Sequence, residues 1–283
     1  MLQIRGMRRD DIPFAIRLTN REEWDIPPRD FQRILKLDPR GSFIATEGTK
    51  RIGLATSASY GREIAWIGNV VVQKPHRGKH VGQALVTHAV DYLHKKHVKH
   101  VALYCFDENV VFYKKLGFLN GPPFGRLRRE KKQVSCSASE FGSQTSLPLS
   151  AILTLDKKAF GADRSTLIRD LLRSNVARVT SVGRHDDRAY LLVKDYEDMC
   201  ELGPWVSFRV SEHDLGLMLH RSLGGAGGKA VEISVPLRNG RVLRMLKRYD
   251  FRVVRTGRSM YFDEVPRIGS PTPVLALGFL DKG

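Results

Sequence analysis

The chain has 283 residues, 42% of them hydrophobic and 27% charged, which is ordinary globular composition and enough for one large domain or two of typical size. Its 47 Lys and Arg against 30 Asp and Glu give a formal charge of +17, spread along the whole length, which speaks against a basic tail and for a cationic surface suited to an anionic ligand or partner. Cys105, Cys136 and Cys200 lack paired spacing, the opening stretch meets charge before any apolar run, and no apolar run reaches membrane-spanning length, so reduced thiols in a soluble cytoplasmic protein are expected, with no disulfide frame, signal peptide or membrane segment.

In chain order, "RRDDIPFAIRLTN" predicts a helix capped by Asp10, with Pro13 in its first turn. "PPRDFQRILKL" predicts a second short helix, ended by Pro39 and Gly41. "SFIATEG", "RIGLATSASY" and "IAWIGNVVV" read as three strands separated by turns. From Val81 the apolar spacing becomes helical through Ala84, Leu85, Ala89, Tyr92 and Leu93, ending near "HKKH" where cations suit the negative end of the dipole. "VALYCF" is a strand, and "ENVVFYKKLGF" is a short helix stopped by Gly117 that leads into another strand.

Residues 121–150 are rich in Gly, Pro and Ser, and they hold the closing strand of the first domain and a linker. In the second half, Asp163 is placed to cap a helix whose apolar face is Leu167, Ile168, Leu171 and Leu172. "RAYLLVKD", "GPWVSFRV", "AVEISVP", "FRVVRTGRSMYF" and the terminal "PVLALGFL" read as strands, with helices over "SEHDLGLMLHRSL" and "GRVLRMLKRYD". "VALYCF…ENVVFYKKLGF" and "AVEISVP…NGRVLRMLKRYDF" share a strand–helix–aromatic-strand pattern, which points to two related α/β domains.

The stretch "QKPHRGKHVGQAL" follows a strand and opens a helix. Its main-chain N–H groups from Gly78 to Gln83 would face an anion at the positive end of the helix dipole, and Gly78 and Gly82 allow close approach. It matches neither the Walker loop nor the Rossmann glycine spacing, and taken alone a cationic connection is the more ordinary reading. The six histidines between His76 and His100 have no carboxylate or cysteine completing a metal set, so no metal is expected. The basic run "RLRREKK" lacks aromatic interleaving, which leaves nucleic acid as an open but weakly motivated partner.

Together, the strand, the Arg-Gly-x-x-x-Gly loop and "FYKKLGF" some thirty residues later resemble the GNAT superfamily of N-acetyltransferases. The resemblance covers roughly residues 1–135. "LDKKAFGADR", "GPWV" and "VPLRN" are similar to the degenerate second domain of two-part members. It implies an α/β (α+β) acyl-coenzyme A N-acyltransferase fold, with a central mixed, mostly antiparallel sheet flanked by helices. The expected domains are 1–135, a linker over 136–150, and a smaller GNAT-like domain over 151–283.

The resemblance further implies that acetyl-CoA is the cosubstrate. Its pyrophosphate would lie on Arg77, Gly78, Lys79, His80, Val81, Gly82 and Gln83, and its pantetheine arm on the backbone of Val70, Val71 and Val72. His80 stands where the family usually has a glycine. It is expected to hold a helix-start conformation at negative φ. Tyr113, four residues before Gly117, matches the tyrosine that protonates the departing thiolate. Where the family often has an asparagine, this chain has Phe106, with Asn109 out of register. Glu22, Glu23 and Trp24, with Asp25, fall in the region that commonly walls the acceptor site, and no general base is singled out.

In the second half Leu246 aligns with Tyr113 and no matching loop is found, so that domain is expected to lack cofactor chemistry. The expectation is an N-acetyltransferase acting on a small-molecule or peptide amine by direct attack in a ternary complex, with a homodimer left open. The alternatives are a non-catalytic acyl-CoA sensor and an acetyltransferase whose acceptor is RNA-bound.

Overall fold

A computed structural model of the chain describes residues 1–24, 26–134, 146–184, 186–270 and 272–283. Asp25, Cys136 and most of the expected linker therefore lie outside the described residues. The fold is mixed α/β, and its contacts divide it into two compact units. One holds residues 1–121 with 260–266 and 280–283; the other holds 122–259 with 267–279.

The first unit is built on β1 (Leu2–Gly6), β2 (Ser42–Glu47), β3 (Lys50–Tyr60), β4 (Ile64–Val72) and β5 (His100–Phe106), hydrogen-bonded in that order. All neighbours are antiparallel except β4 and β5, which run parallel and need the crossover helix α3 (Val81–Lys95) between them. Strand alternation sorts the core into two faces. Ile44, Leu54 and Val71 turn to α1 (Ile12–Asn20) and α2 (Pro28–Leu37), where they meet Phe14, Leu18 and Phe31. Phe43, Ala55 and Ile67 turn to Leu85, Ala89 and Leu93 of α3.

The short helix α4 (Val110–Lys114) ends as foreseen at Gly117, whose φ of 91° only glycine adopts without strain. Residues from far along the chain complete this unit. Met260 lies with its sulfur 3.3 Å from that of Cys105, and Phe262 packs edge-on to Phe118 with ring centroids 5.3 Å apart.

Three local expectations are corrected here. The strand β1 was not foreseen; its five residues pair antiparallel with β2. At the first helix it is Asp11, not Asp10, that organises the start. Asp11 is buried, accepts from the backbone N–H of Arg8 at 2.8 Å, and is gripped by Arg5 and Arg51 at 2.7 Å each. Burial alone would raise its pKa, but these three donors outweigh that and hold the carboxyl far below its usual range. The strand expected over "PVLALGFL" is confined to β12 (Val274–Ala276).

The second unit takes most of β6 (Phe118–Arg129), then α5 (Leu149–Phe160), α6 (Ser165–Arg173), β7 (Ala177–Arg184), β8 (Asp187–Asp195), β9 (Met199–Phe208), α7 (Glu212–Gly224), β10 (Ala230–Pro236), α8 (Gly240–Arg248), most of β11 (Arg252–Phe262), and β12. Its strand order is β11-β6-β10-β9-β8-β7, with β12 on β9. The parallel pair β9–β10 joined by α7 repeats the arrangement of β4–β5 joined by α3. Several buried charges in this unit are paired: Arg164 bonds Asp156 at 2.6 Å, and the hydroxyl of Tyr190 donates to the same carboxylate. Lys194, fully buried, meets Glu201 at 2.9 Å and donates to the Gly278 carbonyl at 2.7 Å.

Candidate active site

The site begins where two parallel strands part. The β4–β5 pairing runs from Ile64↔His100 to Ile67↔Leu103 and stops, although β4 continues to Val72. On the other side β4 stays paired with β3, but with a slip: Leu54 opposes Val71 and Thr56 opposes Gly68, so Asn69 and Val70 together face the single residue Ala55. That extra residue is a bulge, and it bends β4 away from β5. Asn69 takes it up with φ of 50°, a left-handed conformation that Asn tolerates better than most residues. The result is a strand edge over Gly68–Val72 that β5 does not cover.

The loop after β4 makes a single 3-10 turn over Lys74–His76 and reaches the start of α3. Ala84 is the first residue whose N–H bonds back into the helix, at 3.0 Å from the His80 carbonyl, so the N–H groups of Val81, Gly82 and Gln83 have no intrahelical acceptor. No side chain caps this end and no acidic residue stands in the first turn. The end is therefore open to an anion.

Gly78 has φ of 75° with open space where a Cβ would be, so it is there for its conformation. His80 corrects the expectation: its φ is 58° and its ψ 8°, the left-handed region, not a helix-start conformation. A glycine at that place would hold the same backbone without strain. Its ring nitrogen Nδ1 lies 3.2 Å from Gln83 Oε1, at the surface.

Arg77 faces the protein instead of the loop's mouth. Its Nε donates to the Val72 carbonyl at 3.0 Å, and its outer nitrogen pairs with the carboxylate of Glu22. Lys79 is exposed. Among the expected acceptor-side residues, Glu22 is thus committed to Arg77, Glu23 is exposed with φ of 59°, and Trp24 is 39% exposed.

Tyr113 sits on α4, buried, with its ring 5.0 Å from that of Phe112 and 5.8 Å from that of Phe118. Phe112 in turn lies against Gly82, 3.5 Å from where a Cβ would stand, so α4 covers the start of α3. Val70, Val72, Val81, Phe112 and Tyr113 belong to one apolar cluster, which brings the bulged edge, the loop and the phenol together. Burial, with the Cys105 thiol nearby, pushes the phenol above its usual range. Asn109 is exposed at the turn before α4.

A shallow groove lined by Leu2, His80, Gln83, Thr87, His88 and Asp91 runs along α3, and neither Tyr113 nor Val70–Val72 lines it. Among the described residues, no group of three or more His, Cys, Asp and Glu side chains is placed to hold a metal. No helix among them is long and apolar enough to cross a membrane.

One part of the site escaped sequence reasoning. Asp281, Lys282 and Gly283 lie on β3 and β4. Asn69 Nδ2 donates to Asp281 Oδ2 at 3.2 Å, the Tyr60 hydroxyl donates to the Lys282 carbonyl at 2.6 Å, and the Asp281 main chain lies so close to Gly68 that a Cβ there would meet its carbonyl oxygen at 2.4 Å. No local pattern joins residues more than two hundred positions apart.

The second unit repeats the crossover of parallel strands and helix, with a different start to that helix. The N-terminus of α7, equivalent to that of α3, is closed by Ser211, whose side chain accepts from Asp214 N–H at 3.1 Å, and Glu212 and Asp214 occupy its first turn. One N–H of that end is thereby satisfied, and the two carboxylates in the first turn disfavour an anion there. Leu246, aligned with Tyr113, is fully buried. The basic run over the end of β6 and just beyond it is engaged internally: Arg126 and Arg128 pair with Glu232, Arg129 donates to the Lys132 and Tyr249 carbonyls, and Lys132 pairs with Asp250.

Comparison with known proteins places both units. Residues 8–118 match the model of the acetyltransferase (GNAT) family, and residues 152–269 match a second acetyltransferase (GNAT) domain model. An uncharacterized N-acetyltransferase of Methanocaldococcus jannaschii is 32% identical over 97 residues, a match that spans 31% of this chain and 43% of that protein. A structure of a proposed acetyltransferase from Pyrococcus horikoshii aligns with a TM-score of 0.79 at 19% identity, over 100% of this chain and 96% of the other. A tandem GNAT protein from the clavulanic acid biosynthesis pathway aligns with a TM-score of 0.66 at 12% identity, over 94% and 99% of the two chains. The expected two-part organisation is met, and the chain belongs to the GNAT acetyltransferase family, with two such domains in tandem.

Proposed function

We propose that this protein transfers an acetyl group from acetyl-CoA to an amine, with the chemistry confined to the first half (1–135) and the segment 136–150 linking it to a non-catalytic second half (151–283). The observation that carries this reading is the convergence of an uncovered bulged strand edge, an uncapped helix N-terminus and a buried phenol in one cluster. The residues present fit the cosubstrate. Three N–H groups without acceptors suit a pyrophosphate, and the open edge of Gly68–Val72 suits an amide-bearing arm that pairs like a strand.

Acetyl-CoA supplies an activated acyl group on a good leaving thiolate, so no acyl-enzyme is needed. Val70–Val72 main-chain groups orient the thioester, and the N–H groups of Val81, Gly82 and Gln83 hold the distal anion. Gly78 and His80 shape the loop through their left-handed conformations, while Arg77 ties the loop to the end of β4. Tyr113 stays protonated because burial disfavours phenolate, so its proton is in place for the thiolate as it departs, and the proton shed by the attacking amine passes through water to restore the phenol. The capped, acidic first turn of α7 and the leucine at position 246 are the reasons for assigning the second half no chemistry.

The test is coenzyme A release, measured with a panel of amines that runs from small diamines to peptide N-termini. The reading requires saturable, acetyl-CoA-dependent release with at least one acceptor. Tight acetyl-CoA binding without turnover on any amine would instead favour a sensor.

A further inference from the structure

The pair Gly68-Asn69 is unexplained by β4 itself. A glycine inside a buried strand costs stability, and Gly68 has no positive φ that would require it. Asn69 is 93% buried with a left-handed backbone, a combination that must be held from outside. Both find their partner in the last residues of the sequence. The missing Cβ of Gly68 makes room for the Asp281 main chain. The side-chain amide of Asn69 donates to Thr56 Oγ1 on β3 at 3.1 Å and to Asp281 Oδ2 at 3.2 Å, which satisfies both of its protons.

Asp281 is itself fixed. Lys282 Nζ lies 2.6 Å from the same oxygen. The Lys282 side chain is 5% exposed, and Asp30 of α2 adds to the attraction that holds it charged against the cost of burial. The Tyr60 hydroxyl anchors the Lys282 carbonyl.

We infer that Asp281 is a positioning residue of the active site: through Asn69 it holds the β4 bulge in the conformation that presents the Val70–Val72 edge to the thioester. The inference rests on the acetyl-CoA reading for its catalytic consequence, while its structural half stands alone. Asn69 immediately precedes Val70. A rotation of its backbone therefore turns the next N–H and carbonyl directly, and a misplacement of about 1 Å in a reacting pair costs up to about a hundredfold in rate.

The experiment compares the wild type with Asp281→Ala, Gly68→Ala and the double variant Asp281→Asn with Lys282→Met. The double variant keeps an acceptor for Asn69 and removes both charges of the buried pair together. Two readouts are taken: amide hydrogen exchange at residues 69–71 in the protein alone, and kcat and KM for acetyl-CoA transfer. Asp281→Ala and Gly68→Ala are expected to speed exchange at these amides by about tenfold or more and to lower kcat by about ten- to a hundredfold. The double variant is expected to restore both to within about threefold of wild type.

Unchanged exchange in both single variants overturns the inference, whatever the activity. Normal exchange with lost turnover in the double variant also overturns it, because the carboxylate would then act on protons and not on geometry. If the wild type itself fails to bind acetyl-CoA, the functional reading falls, and the exchange data still decide the structural claim.

Discussion

Arg77 Nε donates to the carbonyl oxygen of Val72 across 3.0 Å, so the arginine that opens the loop is bound to the strand that precedes it. With its pairing to Glu22, this turns the side chain into a brace for the loop. It is an internal tie, and the N–H groups left without intrahelical acceptors are those of Val81, Gly82 and Gln83 beyond it. Replacing Arg77 with Lys loses the fixed fork that spans Val72 and Glu22. Acetyl-CoA affinity, followed by calorimetry, should weaken by about three- to tenfold, corresponding to roughly one hydrogen bond. Glu22→Gln should weaken it less, because that ion pair is partly exposed.

His80 is predicted to be dispensable as an imidazole. Its φ of 58° places a side chain where glycine is favoured, at a cost of about 1–2 kcal/mol. His80→Gly recovers part of this, set against the greater entropy of glycine in the unfolded chain, for a net gain of up to about 1 kcal/mol. Acetyl-CoA affinity should stay within about twofold, as the contacts come from the backbone. Loss of binding measured by the same calorimetry would assign the ring a contact of its own.

Tyr113→Phe is predicted to lower kcat by about a hundredfold with little change in KM for acetyl-CoA, as loss of a positioned general acid does. The wild-type phenol is held above its usual range by burial, so the acid form persists across the neutral and mildly alkaline range. The pH profile of kcat should therefore show no loss from this group up to about pH 10, the ordinary tyrosine value. A falling limb near neutrality that disappears in the Phe variant would contradict the environment described.

Asp11 should show itself in stability instead of turnover. Its folded pKa is depressed, so its contribution is fully present above the ordinary carboxylate range and is lost as pH falls through and below it. Asp11→Asn is expected to lower unfolding free energy by about 2 kcal/mol at pH 7, below the usual loss for a buried pair because Arg5 and Arg51 are partly exposed. The difference from wild type in denaturant unfolding should shrink as pH drops below about 4.

Much of this was legible along the chain. The apolar period of Val81, Leu85, Ala89 and Leu93 marks α3, because burial of one face imposes a period on the residues that form it, while the continuous apolar runs in "SFIATEG" and "IAWIGNVVV" mark strands buried on both faces. The loop, Tyr113 and the repeat of strand–helix–strand in both halves follow from short-range patterns of the same kind. The conformation of His80 was not legible, since the requirement for positive φ comes from where the loop must go and leaves no trace in a neighbouring residue. Nor was Asp11, whose two arginine partners come from β1 and β3.

The sequence by itself determined most of the elements and the family, because each depends on residues within a few turns of one another. Tertiary structure alone decided what holds the site in shape. The Asn69 bulge, the close approach at Gly68 and the grip of Asp281 join residues more than two hundred positions apart in sequence. Closing so long a separation costs chain entropy that no local pattern reports, and it is offset only when the whole unit packs at once.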